Sequence, residues 1–258
     1  MAQAAGYREW RPAGGLARHL VCTWAGRIGS DGTPFTDRVL PDGCVDVIWD
    51  GTRLFVAGPD TGPVDITRQP GAFYVGARFR PGLAPTVLGL PASELLDLRV
   101  DATDVPGLTS GAAALADRLQ AATSLRQAGL VLESALLDRL PRAGPPDDLV
   151  EAAVAILRAG SGAGEPRPPV AALADHLGLS ERQLHRRCTA AVGYGPKTLD
   201  RVMRFRRFLA LADRRPDTGL ADLAAAAGYA DQAHLTRECG RLGGVPPSLL
   251  VPRLASAA

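Results

Sequence analysis

The chain changes its apolar period along its length. Between residues 34 and 80, apolar positions alternate or form short blocks separated by turn signals. In Arg38-Val39-Leu40-Pro41-Asp42-Gly43-Cys44-Val45-Asp46-Val47-Ile48-Trp49, a Pro-Asp-Gly turn signal stands between two apolar segments. The second segment alternates, with Val45, Val47 and Trp49 on one side and Asp46 and Ile48 on the other. Asp50-Gly51 is a hairpin signal, and Arg53 to Val56 reads as the following strand. Val64 to Ile66 and Ala72 to Phe79 read as further strands. Short strands at this spacing predict a barrel or sandwich. Pro91 to Leu98 predicts a short helix with proline in its first turn.

Beyond residue 110 the period becomes helical. Leu115, Leu119, Leu125, Leu130, Leu132, Leu136, Leu137 and Leu140 predict two amphipathic helices over about 111–121 and 123–140. Pro141 to Pro146 breaks the second and reads as a linker. Residues 147–258 read as all-helical, punctuated at 160–169, 193–196, 215–219 and 243–247.

A degenerate repeat lies within this helical part. In the first copy Ala174 and Gly178 are four apart, which lets two helices approach closely and turn through a left-handed residue. Ser180 then opens a new helix, with Gln183 at capping-box spacing. Leu173, Leu177, Leu179, Leu184 and Cys188 make an apolar face, while Arg182, His185 and Arg186 share the other at i, i+3, i+4. In the second copy Ala224 and Gly228 repeat the spacing, Asp231 can cap, and Gln232, Ala233, Thr236 and Arg237 share a polar face. Between the copies, 196–212 predicts one basic helix about 25 Å long. That is of the right order to hold two readers one DNA turn apart, about 34 Å. The fold class expected is α+β: a β-rich, barrel-like N-terminal domain with a helical hairpin, then an all-α domain with two helix-turn-helix units joined by a long helix. The expected divisions are 1–105 as a sensor domain, 106–146 as a helical linker or dimerisation segment, and 147–258 as a DNA-binding domain.

Charge sharpens this picture. Residues 1–146 carry 14 Arg against 15 acidic residues, and residues 147–258 carry 15 basic against 12 acidic. Arg182 to Arg215 alone holds ten cations against Asp200 and Asp213, a net of +8. A block of that size suits a polyanion partner. Hydrophobic residues make up 46% of the 258, enough apolar mass for one large or two modest cores. No apolar run approaches the roughly 18 residues of a membrane span. Met1 to Trp10 does not have the pattern of a secretory signal. Cys22, Cys44, Cys188 and Cys239 lie far apart, so neither a disulfide framework nor a C-x-x-C metal site is expected. These features predict a cytoplasmic protein without a membrane partner.

With these residues in hand, the chain resembles the AraC/XylS family of bacterial transcription regulators over about 150–253. The resemblance rests on Ala-Asp-His-Leu-Gly-Leu-Ser-Glu-Arg-Gln-Leu-His-Arg-Arg, Gly-Tyr-Gly-Pro-Lys, Ala-Gly-Tyr-Ala-Asp-Gln-Ala-His-Leu-Thr-Arg-Glu and Gly-Val-Pro-Pro. It implies that Arg182, His185 and Arg186 reach bases in one major groove and Gln232, Ala233, Thr236 and Arg237 in the next. Ser180, Lys197, Arg201 and Arg204 are the expected phosphate contacts, with salt-bridging to acidic neighbours as the alternative for the α-helical arginines. Cys188 and Cys239 stand where the family usually has a core Phe. The N-terminal half is similar to a subset of these regulators through Arg-Val-Leu-Pro-Asp-Gly-Cys-Val-Asp-Val-Ile-Trp and Gly-Ala-Arg-Phe-Arg-Pro-Gly. In the wider family such domains bind an effector or dimerise.

The implied partners are double-stranded DNA, a small-molecule effector and RNA polymerase, with the chain acting as a monomer or homodimer. Trp24, Arg38, Cys44, Asp46, Trp49 and Arg78 are the candidate effector pocket, against a reading of these polar groups as hydrogen-bonded barrel-rim residues. No G-x-S-x-G, H-E-x-x-H, Walker or dinucleotide motif appears, and four scattered histidines make no ligand set. No enzyme activity, cofactor or metal is expected. Two rivals remain: a protein-interaction module with structural helix-turn-helix units, and a DNA-targeted repair or sensor protein using a reactive Cys44 or Cys22.

Overall fold

The computed structural model describes residues 7–29, 33–160 and 169–251. Of the predicted break at 160–169, residues 161–168 lie outside them. The order begins β1 (Arg8–Trp10), β2 (Leu20–Arg27), β3 (Phe35–Val39), β4 (Val45–Trp49), β5 (Leu54–Ala57), β6 (Val64–Arg68) and β7 (Phe73–Phe79). Helix α1 (Ala84–Leu88), β8 (Arg99–Asp101), α2 (Pro106–Thr109), α3 (Ala112–Gln120) and α4 (Leu125–Leu137) complete the first half. The second half is helical: α5 (Asp148–Ala159), α6 (Val170–His176), α7 (Glu181–Val192), α8 (Pro196–Arg214), α9 (Leu220–Ala227), α10 (Gln232–Gly243) and α11 (Pro247–Leu250). The fold is α+β, a β-rich N-terminal region followed by a helical C-terminal one.

Among the described residues, six strands form one antiparallel sheet in the order β1-β2-β7-β4-β5-β8. Strands β3 and β6 form a separate two-stranded ribbon. The Asp50-Gly51 signal is a hairpin, joining β4 to β5 with Gly51 at φ +96°. The Pro41-Asp42-Gly43 turn does not pair its flanking strands. Asp42 Oδ1 accepts from the Cys44 N–H (2.9 Å) and closes the turn locally, while β3 leaves to pair with β6. The segment Pro91 to Leu98 holds only a 3-10 turn at Ala92–Leu95.

The two faces of the large sheet differ, as the alternation in β4 requires. Val45, Val47 and Trp49 point into a core with Leu54, Val56, Val75, Ala77 and Phe79. Helix α4 crosses β2 and β7 on that side. Leu108, Leu115, Leu119, Leu132 and Leu136 are buried in the same core. Helices α2–α4, which lie in the stretch 106–146 expected as a helical linker or dimerisation segment, pack on the sheet. A carboxylate enters there: Glu133 of α4, 2% exposed, accepts from the buried Thr23 Oγ1 (2.6 Å), from Trp10 Nε1 (3.1 Å) and from the Ala13 N–H (3.2 Å). Three donors offset the cost of burying the carboxylate there.

A second core holds Val150, Leu157, Leu173, Leu184, Cys188, Leu199, Val202, Phe205, Phe208, Leu223, Leu235 and Cys239. Leu40 and Leu96 of the N-terminal region pack against it. The regions also meet at Arg18 with Glu151 (3.1 Å) and at Arg38, which donates to the Gly243 carbonyl (3.4 Å). No helix among the described residues is long and apolar enough to cross a membrane.

Candidate nucleic-acid interface and cavity

Each copy of the repeat folds as helix, left-handed turn, helix. Gly178 (φ +66°) and Gly228 (φ +89°) supply the turns. Ala174 and Ala224 are buried where the paired helices approach. Ser180 caps α7 in a reciprocal box: its Oγ accepts from the Gln183 N–H (3.2 Å), and Gln183 Oε1 accepts from the Ser180 N–H (2.9 Å). Asp231 caps α10 by accepting from the His234 N–H (2.6 Å). Between the units, α8 runs 19 residues, about 28 Å.

The structure separates the cations of this region into two groups. Arg182, His185 and Arg186 are exposed on α7, and Gln232, Ala233, Thr236 and Arg237 are exposed on α10. Lys197 is exposed at the start of α8. Arg182, Arg186, Lys197 and Arg237 make no ion pair among the described residues. The His185 ring folds back onto Gly195, where a Cβ would lie 2.6 Å from it. Thr236 spends its hydroxyl on the Gln232 carbonyl (2.9 Å). His234 packs edge-on against Tyr229.

Arg201 and Arg204 face inward. Arg201 makes two 2.8 Å bonds to Glu238 of α10, the side chains being 18% and 12% exposed. Burial opposes the Glu238 carboxylate, but the Arg201 guanidinium outweighs it and holds the group below the usual carboxylate range. Arg204 pairs with Asp200 and lies over the Tyr229 ring. The phosphate-contact expectation for these two gives way to ion pairs inside the domain. Likewise Arg187 ties α7 to Asp147 (2.7 Å).

The N-terminal region contains a cavity of about 320 Å³ between the outer face of the sheet and the β3–β6 ribbon. Trp24, Arg38, Cys44, Asp46 and Arg78 all line it. Trp49 does not: it is 3% exposed on the core side, the opposite face of β4 from Asp46. Strand parity alone excludes it from that wall. The floor is a connected network. Trp24 Nε1 donates to Asp46 Oδ1 (2.7 Å), and Arg78 Nε lies 3.3 Å from both Asp46 oxygens and 3.6 Å from Asp42. Burial raises the Asp46 carboxyl, against the pull of Arg78. Gly76 sits opposite Trp24 in the register, and a Cβ there would fall 2.3 Å from the indole. Sequence reasoning missed Ile48, Tyr74, Phe55, Arg68 and Arg206 in the lining. Parity marks Ile48 with Asp46 and Tyr74 with Arg78; no local signal marks Arg206, which arrives from α8.

The cysteines are buried. Burial pushes the thiols up, Cys22 and Cys239 to about 12, Cys188 to about 11 and Cys44 well above its ordinary value. Thiolate is scarce in such surroundings at neutral pH.

Comparison with known families decides the identity of the helical part. Residues 173–251 match a family described as a helix-turn-helix domain. The chain carries an AraC-type helix-turn-helix domain. Residues 8–101 match a domain of unknown function (DUF6597), which precedes the AraC-type domain. No curated protein matches the chain. Among solved structures it is similar to ToxT from Vibrio cholerae at 1.65 Å resolution, with 10% identity and a TM-score of 0.48, covering 90% of this chain and 98% of that one. It is also similar to ToxT from Vibrio cholerae strain SCE256 with unsaturated fatty acid bound, with 10% identity and a TM-score of 0.47, covering 92% and 95%. At these values neither likeness bears on what this chain binds.

Proposed function

We propose that this protein is a sequence-specific DNA-binding transcription regulator whose N-terminal cavity takes a small effector. The observation that carries the first part is the unpaired, exposed donor set on two capped helices. Among the described residues, Arg182, Arg186 and Arg237 remain free of ion pairs, while Arg187, Arg201 and Arg204 are engaged internally. Free guanidiniums on a recognition helix can grip guanine O6 and N7, Gln232 can grip adenine, and the Ala233 methyl can meet a thymine methyl. Helix α8, about 28 Å long between the two units, is of the order of one DNA turn. In this reading Lys197, exposed at the start of α8, contacts phosphate, and Ser180 contributes through its cap with Gln183.

The effector part rests on the half-open, part-apolar cavity with its Trp24–Asp46–Arg78 floor. An effector acts here by binding two arrangements of the domains with different affinity. Contact with RNA polymerase and action as a monomer or homodimer in the cytoplasm complete the reading. The test is selection of binding sites from random duplexes by the full chain at about 150 mM salt, where weak nonspecific attraction is screened. The expected result is a bipartite motif with two short blocks about one helical turn apart. Absence of any enriched motif, together with affinity indifferent to salt, would overturn the proposal.

A further inference from the structure

Helices α7 and α10 both end against one loop of the N-terminal region, the β5–β6 connection Gly58-Pro59-Asp60-Thr61-Gly62-Pro63. Gly193 closes α7 at φ +97°, and a Cβ there would stand 2.6 Å from Pro59 Cγ and 3.1 Å from the Ala92 carbonyl oxygen. Gly244 closes α10 at φ +73°, and a Cβ there would stand 3.0 Å from Pro63 Cγ and 3.4 Å from Arg38 Nη1. Two prolines of one loop thus sit on the left-handed closing residues of helices that belong to different units.

The loop is tied down along its length. The Thr61 N–H and hydroxyl donate to the two oxygens of Asp97 (2.7 and 2.8 Å). Asp60 accepts two bonds from Arg99 (2.9 and 2.8 Å). The Gly58 N–H donates to the Leu98 carbonyl (3.0 Å), and the Asp97 N–H to the Pro59 carbonyl (3.1 Å). Proline fixes φ at both points of contact. A loop held in this way transmits position instead of absorbing it.

Its place leaves the reading ends of the helices alone. Arg182, His185 and Arg186 lie in the first half of α7, and Gln232, Ala233, Thr236 and Arg237 in the first half of α10, whereas the loop meets the opposite ends. Packing between the two units runs mainly through α8. A single rod sets a separation but leaves twist about its own axis. A second tie, across the far ends of both helices, removes that freedom.

We propose that the β5–β6 loop is a bracket that fixes the register of the two readers, and that Pro59 and Pro63 thereby determine the spacing the protein accepts between its two DNA blocks. This rests on the reading of α7 and α10 as DNA readers. On B-DNA, one base pair of spacing is about 3.4 Å of rise and about a tenth of a turn. Both distance and twist must match before the two helices can engage together.

The test is binding of the full chain to the selected bipartite duplex, to versions with one base pair added or removed between the blocks, and to a duplex holding one block alone. The parent is expected to prefer the selected spacing by about tenfold, the size of one lost base contact. In Pro59→Ala/Pro63→Ala that preference is expected to fall to about threefold, half of the same free energy. Affinity for the single block is expected to stay at the parental value. Asp97→Gly, which frees Thr61 and leaves both prolines in place, is expected to give the same loss, and it decides the matter if the double variant does not fold. A preference kept at the parental value in the folded variants, or a parent indifferent to spacing, overturns the assignment. Loss of single-block affinity to the same extent makes the loop a support for the fold of the readers and overturns it as well. Enrichment of no bipartite motif by the parent overturns the DNA reading itself, and the bracket with it.

Discussion

Replacing Arg201 distinguishes a structural cation from a DNA contact. Its bidentate pair with Glu238 links α8 to α10, with both side chains less than one fifth exposed. Removing one partner of a fully buried pair costs about 3–5 kcal/mol, because the other charge stays buried without compensation. An exposed pair contributes about 0–1 kcal/mol. At the depth seen here, Arg201→Gln is expected to cost about 2 kcal/mol, midway between those limits. For a chain of this size that lowers Tm by about 4–8 °C. Adding Glu238→Gln is expected to recover part of the loss, since the orphan carboxylate is then gone. The DNA readout separates the two roles. Each phosphate contact contributes about one to the slope of log K against log salt. Arg201→Gln is expected to leave that slope unchanged on a selected site, while Lys197→Gln lowers it by about one. An R201Q variant with parental Tm and a slope reduced by about one would refute the reasoning.

Three further outcomes follow from the same geometry. Because the folded-state Glu238 carboxyl is held below its unfolded value of about 4.3, its contribution to stability is present above that pH and lost as pH falls through the lower folded value; denaturant titrations across acid pH should show a shallower decline in Glu238→Gln than in the parent. Gly76→Ala brings a methyl within 2.3 Å of the Trp24 indole, so the ring must move and release Asp46; stability should fall by about 1–3 kcal/mol and tryptophan emission should change, and an unaltered spectrum would contradict the packing. Asp231→Ala removes the α10 cap at a cost of about 1 kcal/mol, and should weaken protection of one half of a bipartite site more than the other in footprinting; equal weakening of both halves would argue against separate readers.

What could be read from the chain alone is what depends on neighbours a few residues apart. The cap at Ser180 with Gln183, the left-handed turns at Gly178 and Gly228, and the apolar faces closing on Cys188 and Cys239 all follow from helical spacing. The β4–β5 hairpin and the two-sided β4 follow from a turn signal and a period of two. That same period marks Trp49 for the core, although residue type had suggested a pocket wall. The tertiary structure decided everything that rests on distant partners. It sent β3 to β6 instead of β4, and packed α2–α4 onto the sheet. It turned Arg201 inward to a carboxylate 37 positions away, and brought Arg206 to a cavity built almost wholly from the first hundred residues. A guanidinium has the same donors in every setting. Whether it meets a carboxylate, a phosphate or open space is set by long-range packing, which local spacing does not encode.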